Sequence, residues 1–290
     1  MSFLEIKNFD IKNFTTIKIG GIVEKALLPS NKEGILEVFD IIKKSGKNFF
    51  ILGGGSNVVI KDDLTGFYAI ITSKLDYYKI EDNTIICGAG LKTSLFCEIS
   101  LDNSLSGSEF LYGLPGSIGG AVFMNARSYG FSISDIIESV DVYDYENNSF
   151  LSLKSSECEF GYKNSIFQKR PYFISEIKFK LTRGDFNEIK EKMNYFKKDR
   201  EEKGQYVFPS AGCAFKNNYD IGIPTGKIID ELGLKGMVFG GVKVYEKHAN
   251  FLVNTGNATY EDYINAVSYI KRAVKNERGI DLECEVIFLP

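Results

Sequence analysis

Apolar residues recur at helical spacing in three stretches of the chain. The first predicted helix starts at a capping box formed by Ser30 and Glu33 and stops before Gly46. The second, 185–204, is strongly charged, which indicates a connector between an N-terminal and a C-terminal region. The third occupies 259–279. The side chains predicted to face the core are Ile35, Val38, Phe39 and Ile42 in the first helix and Tyr263, Ala266, Val267 and Ile270 in the third.

Short runs typical of β-strands lie between these helices. They are 49–52, 68–71, 84–87, 140–145, 173–181, 251–254 and 284–289. Residues 146–148, Glu-Asn-Asn, predict a hairpin turn between two strands. Helices and strands do not alternate regularly, so the pattern favours an α+β fold over a doubly wound parallel sheet.

Charge and cysteine usage narrow the functional classes. The net charge is −3, from 35 basic and 38 acidic side chains, so there is no basic excess to favour nucleic acid or an anionic membrane. No apolar run approaches the roughly 20 residues that span a bilayer, and the N-terminal residues do not resemble a signal peptide. The five cysteines are scattered and predict reduced thiols. We therefore expect a soluble, cytoplasmic protein without a metal site. A monomer is expected as well, although neither charge nor cysteine usage indicates an oligomeric state.

Two glycine-rich stretches are the strongest chemical signal. Residues 53–57, Gly-Gly-Gly-Ser-Asn, directly follow a predicted strand, and residues 113–120, Gly-Leu-Pro-Gly-Ser-Ile-Gly-Gly, precede a short apolar run that predicts a helix. Glycine lets successive N–H groups point into one concavity that suits an anion, and a helix N-terminus favours phosphate. A tight turn is the simpler interpretation of the first stretch, but three consecutive glycines are costly for a turn alone. Two such loops predict a ligand with at least two phosphates.

Other candidate residues are ambiguous by chemistry alone. Cys213 stands beside a glycine and near Lys216, yet a free cysteine is most often a small buried hydrophobic residue. Glu283 and Glu285 share one face of the last predicted strand, as solvated carboxylates also do. The segment 162–165 fits an ordinary surface loop. The single histidine, His248, is expected to be a hydrogen-bonded structural residue.

Taken together, these segments resemble the UDP-N-acetylenolpyruvoylglucosamine reductase family. The resemblance runs through nearly the whole chain. Its motifs are 15–21, 52–57, 113–121, 125–126, 129–130, 161–167, 210–217, 227–230, 240–241, 247–251 and 285–286. No tyrosine-bearing insertion fits between Phe167 and Leu181, so the chain is similar to the shorter type of the family.

The resemblance implies an α+β protein of three domains. Two N-terminal domains, 1–72 and 73–184, would hold FAD in the vanillyl-alcohol-oxidase (PCMH) type of fold, and 185–284 would form the substrate domain. Residues 285–290 would return to the first domain as its last strand. Cofactor contacts are implied for Leu52, Gly53, Gly54, Gly55, Ser56, Asn57, Gly113, Pro115, Gly116, Ser117, Ile118, Gly119, Gly120 and Asn125.

The implied reaction is the NADPH-dependent reduction of UDP-N-acetylglucosamine enolpyruvate to UDP-N-acetylmuramate, a step of peptidoglycan precursor synthesis. NADPH would reduce bound FAD and leave, and the nucleotide sugar would then take hydride at C3 and a proton at C2. The catalytic residues implied are Lys163, Cys213 and Glu285, and the substrate-binding residues are Tyr162, Lys163, Lys216 and Asn217.

The chain departs from the family pattern at several of these positions. Cys213 stands where the family usually has a serine proton donor, and a thiol with a pKa of about 8.5 is a plausible general acid. Lys163 replaces the usual arginine, which keeps the charge but loses the planar fork. Arg127 and Ser128 replace small residues. The alternatives are an FAD-dependent oxidoreductase of the same superfamily with another substrate and, from another class, a non-catalytic nucleotide-binding protein.

Overall fold

Short helices and strands are interleaved along the whole chain, and all 290 residues are described in a computed structural model. The helices are α1 Lys32–Ser45, α2 Thr93–Asp102, α3 Ile118–Phe123, α4 Phe186–Glu202, α5 Thr225–Glu231 and α6 Tyr260–Arg278. The strands are β1 Phe3–Asp10, β2 Ile22–Pro29, β3 Asn48–Leu52, β4 Val58–Ile60, β5 Phe67–Ile71, β6 Tyr78–Glu81, β7 Thr84–Gly88, β8 Leu105–Ser106, β9 Arg127–Ser128, β10 Phe131–Ser132, β11 Ile137–Asp144, β12 Ser149–Lys154, β13 Tyr172–Lys180, β14 Thr182–Arg183, β15 Ser210–Cys213, β16 Val238–Phe239, β17 Val242–Val244, β18 Phe251–Asn254 and β19 Ile287–Leu289.

Helix α1 ends where the sequence predicts but is capped by a different residue. Asn31 is the N-cap, and its side-chain oxygen accepts a hydrogen bond from the Gly34 N–H at 2.8 Å. Ser30 instead donates its hydroxyl to the carbonyl of Ser2 at 2.8 Å, so the predicted capping box was wrong. The predicted apolar stripe is buried, and Gly46 closes the helix in the left-handed conformation with φ 62°.

The other two predicted helices are confirmed. Asp185 precedes α4, and one of its carboxylate oxygens accepts the N–H groups of Asn187 and Glu188 at 2.9 and 3.1 Å. Thr259 caps α6 and exchanges capping-box hydrogen bonds with Asp262. Gly279, with φ 68°, ends α6.

The chain divides into two compact units. The first contains Met1–Lys7, Glu24–Gly54 and Gly66–Asp199, and the second contains Asn8–Val23, Gly55–Thr65 and Arg200–Pro290. One boundary falls between the second and third glycines of the first glycine stretch, and another lies within α4. These units do not follow the three predicted segments, and the division into three domains stays a prediction.

The first unit is built around two sheets. One has the strand order β1-β2-β5-β3, in which β2, β5 and β3 run parallel, and the other is antiparallel with the order β12-β11-β13-β7-β6. The predicted hairpin joins β11 to β12, with Asp144 opposite Ser149. The stripe of α1 shares one buried cluster with residues of both sheets, such as Ile70 of β5 and Phe173 of β13.

The second unit pairs α6 with an antiparallel sheet of order β15-β18-β17-β16. The buried side of α6 packs there with Leu252, Val242 and Phe215. The last strand begins at Ile287, later than predicted, and it runs parallel to β4. Cys284, which the sequence places in that strand, forms instead an isolated antiparallel bridge with Phe215.

Candidate functional site

The two glycine stretches touch each other within the first unit. A Cβ added at Gly54 would lie 2.5 Å from Cα of Gly116, and one at Gly53 would lie 2.7 Å from Oγ of Ser117. The N–H of Gly54 donates to Ser117 Oγ at 3.1 Å. Neither Gly53 nor Gly54 has a positive φ. These two glycines are therefore needed for close approach of two backbones and not for an unusual backbone conformation.

The second stretch leads into α3, as the sequence predicts. Gly113 and Gly116 have positive φ values of 79° and 127°, and Ser117 is the N-cap of the helix. Ile118 donates its N–H to Leu91 O and Gly119 donates its N–H to Ala89 O, both at 2.8 Å. These two donors at the start of α3 are thus occupied.

The backbone donors available to an anion lie just before the helix. The N–H groups of Gly116 and Ser117 have no acceptor within the protein. Gly120 faces open space, since only Ser117 Oγ would lie within 4 Å of an added Cβ, at 3.5 Å. Leu52 is buried at the end of β3, whereas Pro115 is exposed. A loop with free N–H groups and an open side fits a phosphate-bearing cofactor.

The end of the first stretch lies in the second unit. Gly55 has φ 63°, and an added Cβ would lie 2.2 Å from the Phe14 carbonyl oxygen. Its own carbonyl accepts the N–H of Thr16 at 2.9 Å. Asn57 donates its side-chain amide to the carbonyl of Glu285 at 3.0 Å. The glycine stretch is therefore tied directly to the segment that carries a predicted catalytic carboxylate.

Tyr162 and Lys163 occupy the two central positions of a tight turn. Gly161 and Asn164 flank them and exchange backbone hydrogen bonds, at 3.0 and 3.3 Å. Lys163 has φ 54°, in the left-handed region that a side chain with a Cβ rarely adopts. Asn125, which is 5% exposed, donates its side-chain amide to the carbonyl of Gly161 at 2.8 Å. The turn that presents Lys163 is consequently anchored from outside.

In the second unit, the Cys213 strand continues into a segment paired with the end of the chain. The N–H of Glu285 donates to Ala214 O, and the N–H of Lys216 donates to Glu283 O, both at 2.9 Å. Lys216 Nζ also lies 2.5 Å from a carboxylate oxygen of Glu283. Glu283, which the sequence shows only as one of two alternating carboxylates, is thus the ion-pair partner of a predicted substrate-binding lysine.

A buried tyrosine lies near the thiol of Cys213. Tyr263 is fully buried on α6, and its hydroxyl has no hydrogen-bond partner. Burial, and then the neighbouring thiols of Cys284 and Cys213, raise the pKa of Tyr263. Neither Cys213 nor Cys284 forms a disulfide and both are only partly buried, so Cys213 is not a fully buried hydrophobic residue. No sequence signal distinguishes Tyr263 from the rest of the apolar stripe of α6.

His248 differs in part from the expectation. Its ring packs on Phe251, with centroids 4.5 Å apart. However, its buried Nδ1 has no hydrogen-bond partner, so the expected hydrogen-bonded histidine was wrong for this atom. Burial is the main cause that lowers the pKa of His248.

Known proteins match this chain over almost its full length. Residues 23–152 match an FAD binding domain family, and residues 203–289 match the C-terminal domain of UDP-N-acetylenolpyruvoylglucosamine reductase. Two curated relatives carry the name of that reductase. The one from Borreliella burgdorferi is 40% identical to this chain, and the one from Caldanaerobacter subterraneus is 37% identical. The alignment with the first covers 97% of this chain and 93% of the relative, and the alignment with the second covers 96% of this chain and 91% of the relative.

A solved structure agrees with these relatives. The crystal structure of the reductase from Thermus caldophilus superposes with a TM-score of 0.82 at 29% identity, and the match covers 99% of each chain. The chain belongs to the UDP-N-acetylenolpyruvoylglucosamine reductase family. This membership confirms the family resemblance and the α+β, FAD-binding fold.

The family matches cover most of the candidate residues of each unit. Both glycine stretches and Asn125 fall in the FAD binding domain match, and Cys213, Lys216, Asn217 and Glu285 fall in the C-terminal domain match. Tyr162 and Lys163 lie between the two matched regions. Lys163 belongs to the first compact unit, and Cys213 and Glu285 belong to the second. No helix of this family member is both long and apolar enough to cross a membrane.

Proposed function

We propose that the chain reduces UDP-N-acetylglucosamine enolpyruvate to UDP-N-acetylmuramate, with NADPH as hydride donor and FAD as resident cofactor, in peptidoglycan precursor synthesis. The observation that carries this proposal is the match, at 40% identity over 97% of the chain, to a relative named for this reductase. The proposal extends to a monomer that works in the cytoplasm.

The FAD phosphates are assigned to the glycine loops. In the first unit, the N–H groups of Gly116 and Ser117 are without protein acceptors, and Gly120 leaves the loop open beside them. FAD held there would supply the hydride-transfer chemistry between NADPH and the vinyl C3 of the nucleotide sugar. The protein's own residues then have to bind the sugar nucleotide, stabilise charge and supply a proton.

We assign to Lys163 the role of stabilising the negative charge that develops on the substrate. Hydride addition at C3 leaves negative charge shared between C2 and the adjacent carboxylate, and a fixed cation nearby stabilises it. The Gly161–Asn164 turn holds the Lys163 backbone in one conformation, so the side chain that carries the ammonium extends from a fixed backbone position. Tyr162 in the same turn is assigned to substrate binding.

We assign to Cys213 the role of donating the proton that C2 receives. The thiol is partly exposed on β15, and the segment that follows it pairs with residues 283–285. Transfer of the thiol proton to C2 forms the new C–H bond and leaves a thiolate. Glu285 supports this proton transfer, and the bond from Asn57 to its carbonyl keeps its backbone in place.

Lys216 and Asn217 are assigned to the anionic part of the nucleotide sugar. The Lys216 carbonyl accepts the Thr225 hydroxyl at 2.7 Å, and the side-chain oxygen of Asn217 accepts the Thr225 N–H at 2.9 Å. Thr225 is 2% exposed, so both residues are anchored to a buried point. The exposed Glu283 holds the Lys216 ammonium through an ion pair that a phosphate can replace.

An anaerobic titration tests the proposal. The purified protein should show a flavin spectrum, NADPH should bleach it, and UDP-N-acetylglucosamine enolpyruvate should restore it. Bleaching without recovery would point to an oxidoreductase with another substrate. A protein whose flavin NADPH does not bleach would contradict the proposed reaction.

A further inference from the structure

The Lys163 turn is joined to the end of helix α3 by several side-chain hydrogen bonds. The last residue of α3, Phe123, has a carbonyl that accepts the Ser165 hydroxyl at 2.7 Å and the side-chain amide of Gln168 at 2.9 Å. The same amide nitrogen of Gln168 lies 3.2 Å from the Lys163 carbonyl, to which it also donates. Asn125 adds the bond to Gly161 at 2.8 Å.

These hydrogen bonds hold the Lys163 backbone in a strained conformation. For a residue with a Cβ, such as Lys163, a φ of 54° is energetically less favourable than a φ in the right-handed region. An isolated turn would therefore relax to another backbone conformation. The turn's own two backbone bonds, between Gly161 and Asn164, do not involve the N–H or the carbonyl of Lys163. The bond from Gln168 reaches the Lys163 carbonyl from outside the turn.

We propose that Gln168 is a positioning residue for Lys163. Together with Asn125 and Ser165, it fixes the Lys163 turn on the C-terminal end of α3, whose N-terminal end carries the glycine loop assigned to phosphate. One short helix thereby sets the cofactor loop and the Lys163 turn relative to each other. The role assigned to Lys163 rests on the proposed function.

The amide of Gln168 is chemically suited to this link. A primary amide has two N–H donors, so one nitrogen can serve two carbonyl oxygens at once. The side chain is exposed, so its replacement leaves no cavity in the core. Ser165, by contrast, is fully buried, and Asn125 is almost so. Gln168 therefore allows a test that does not depend on whether a core variant folds.

Two variants and one control separate positioning from general stability. Gln168→Met keeps the length of the side chain and removes both donors, and Gln168→Glu places an acceptor opposite two carbonyl oxygens. Lys169→Gln is the matched control, because it removes an exposed 3.0 Å ion pair to Glu159 in the same loop without touching the carbonyl of Lys163.

The first readout is hydrogen–deuterium exchange of residues 161–165, which does not require activity. Both Gln168 variants should speed exchange at the Gly161 and Asn164 amides, and Lys169→Gln should not. The second readout separates the two half-reactions. Flavin reoxidation by the nucleotide sugar should slow about tenfold in Gln168→Met, as expected for loss of one to two hydrogen bonds, while reduction by NADPH stays within about twofold.

The possible outcomes distinguish the two proposals. Unchanged exchange in both variants, or equal slowing of both half-reactions, would overturn the positioning role. If the wild-type protein shows no reoxidation by the nucleotide sugar, the proposed function fails, and the exchange data alone decide whether Gln168 holds the turn.

Discussion

Replacing Gly54 with alanine should separate the two glycine stretches. The added Cβ would lie 2.5 Å from Cα and 2.6 Å from the carbonyl carbon of Gly116, and 2.7 Å from the backbone nitrogen of Ser117. All three neighbours are backbone atoms, so no side-chain rotation relieves the contact. The loops themselves have to move.

The size of the effect follows from these distances. Ordinary van der Waals contact begins at 3.4 Å, so the loops must separate by about 0.9 Å. The same movement would stretch the 3.1 Å bond from Gly54 to Ser117 to about 4 Å, beyond hydrogen-bond range. Overpacking costs about 1–3 kcal/mol and the lost bond about 1 kcal/mol. We therefore expect the melting temperature to fall by roughly 5–15 °C.

Thermal denaturation of cofactor-free protein measures this effect without any assumption about function. Gly120→Ala is the matched control, because that position lies in α3, has no positive φ and has room for a methyl group. Alanine in a helix is favoured over glycine by about 1 kcal/mol, so this control should be at least as stable as the wild type. Flavin absorbance of the purified proteins then reports cofactor retention, which Gly54→Ala should lower.

A Gly54→Ala protein with wild-type melting temperature and wild-type flavin content would refute this reasoning. It would mean that the backbone contact between the two stretches is not needed for the fold or for the cofactor. A loss of stability in Gly120→Ala as large as that in Gly54→Ala would refute the assignment of the effect to loop contact.

Four further predictions concern single residues. Lys163→Met should slow flavin reoxidation by the nucleotide sugar at least tenfold but not reduction by NADPH, whereas equal slowing would argue against its role. Cys213→Ala should slow the same step while Cys213→Ser retains activity, and an unaffected Cys213→Ala would exclude the thiol as proton donor. The hydrogen bond from the Gly241 N–H is the main cause that lowers the pKa of the Asp262 carboxyl. The ionised carboxylate therefore stabilises the folded protein fully at pH values above the pKa of Asp262 in the unfolded chain, and this stabilisation is lost as the pH falls through the lowered pKa of the folded state. Asp262→Asn should therefore destabilise by about 1 kcal/mol at pH 7, and the gap should narrow below about pH 4 in urea unfolding; a constant gap would contradict this. Tyr263→Phe removes a buried hydroxyl without a partner, so its urea midpoint should equal or exceed that of the wild type, and a clear decrease would show that the hydroxyl is satisfied.

Local patterns predicted the regular elements well where one short stretch carries all the information. Thr259 and Gly279 mark the ends of α6 because a capping side chain and a left-handed glycine act on their own neighbours. The strand at 251–254 is buried throughout and coincides with β18. The capping residue of α1 was missed because Ser30 is held by the distant Ser2, which periodicity does not show.

Contacts between distant segments were beyond reach of the sequence pattern. The glycine stretches were predicted as separate anion-binding loops, but their packing on each other joins residues 63 positions apart in the sequence. The ion pair between Lys216 and Glu283 likewise arises from pairing of segments 67 residues apart. The roles of Cys213 and Glu285 came from family resemblance, because chemistry alone left each with an ordinary structural interpretation.

The pairing of β19 with β4 has a consequence for the order of folding during synthesis. Asn57, just before β4, binds the carbonyl of Glu285, 228 residues later, and Ile287 donates its N–H back to the Asn57 carbonyl at 3.0 Å. The ribosome makes this part of the glycine stretch early, yet its partner strand emerges only after α6 has been translated. Until then, β4 has one edge without its native partner, and a nascent chain stalled before residue 285 should expose it to proteases and chaperones.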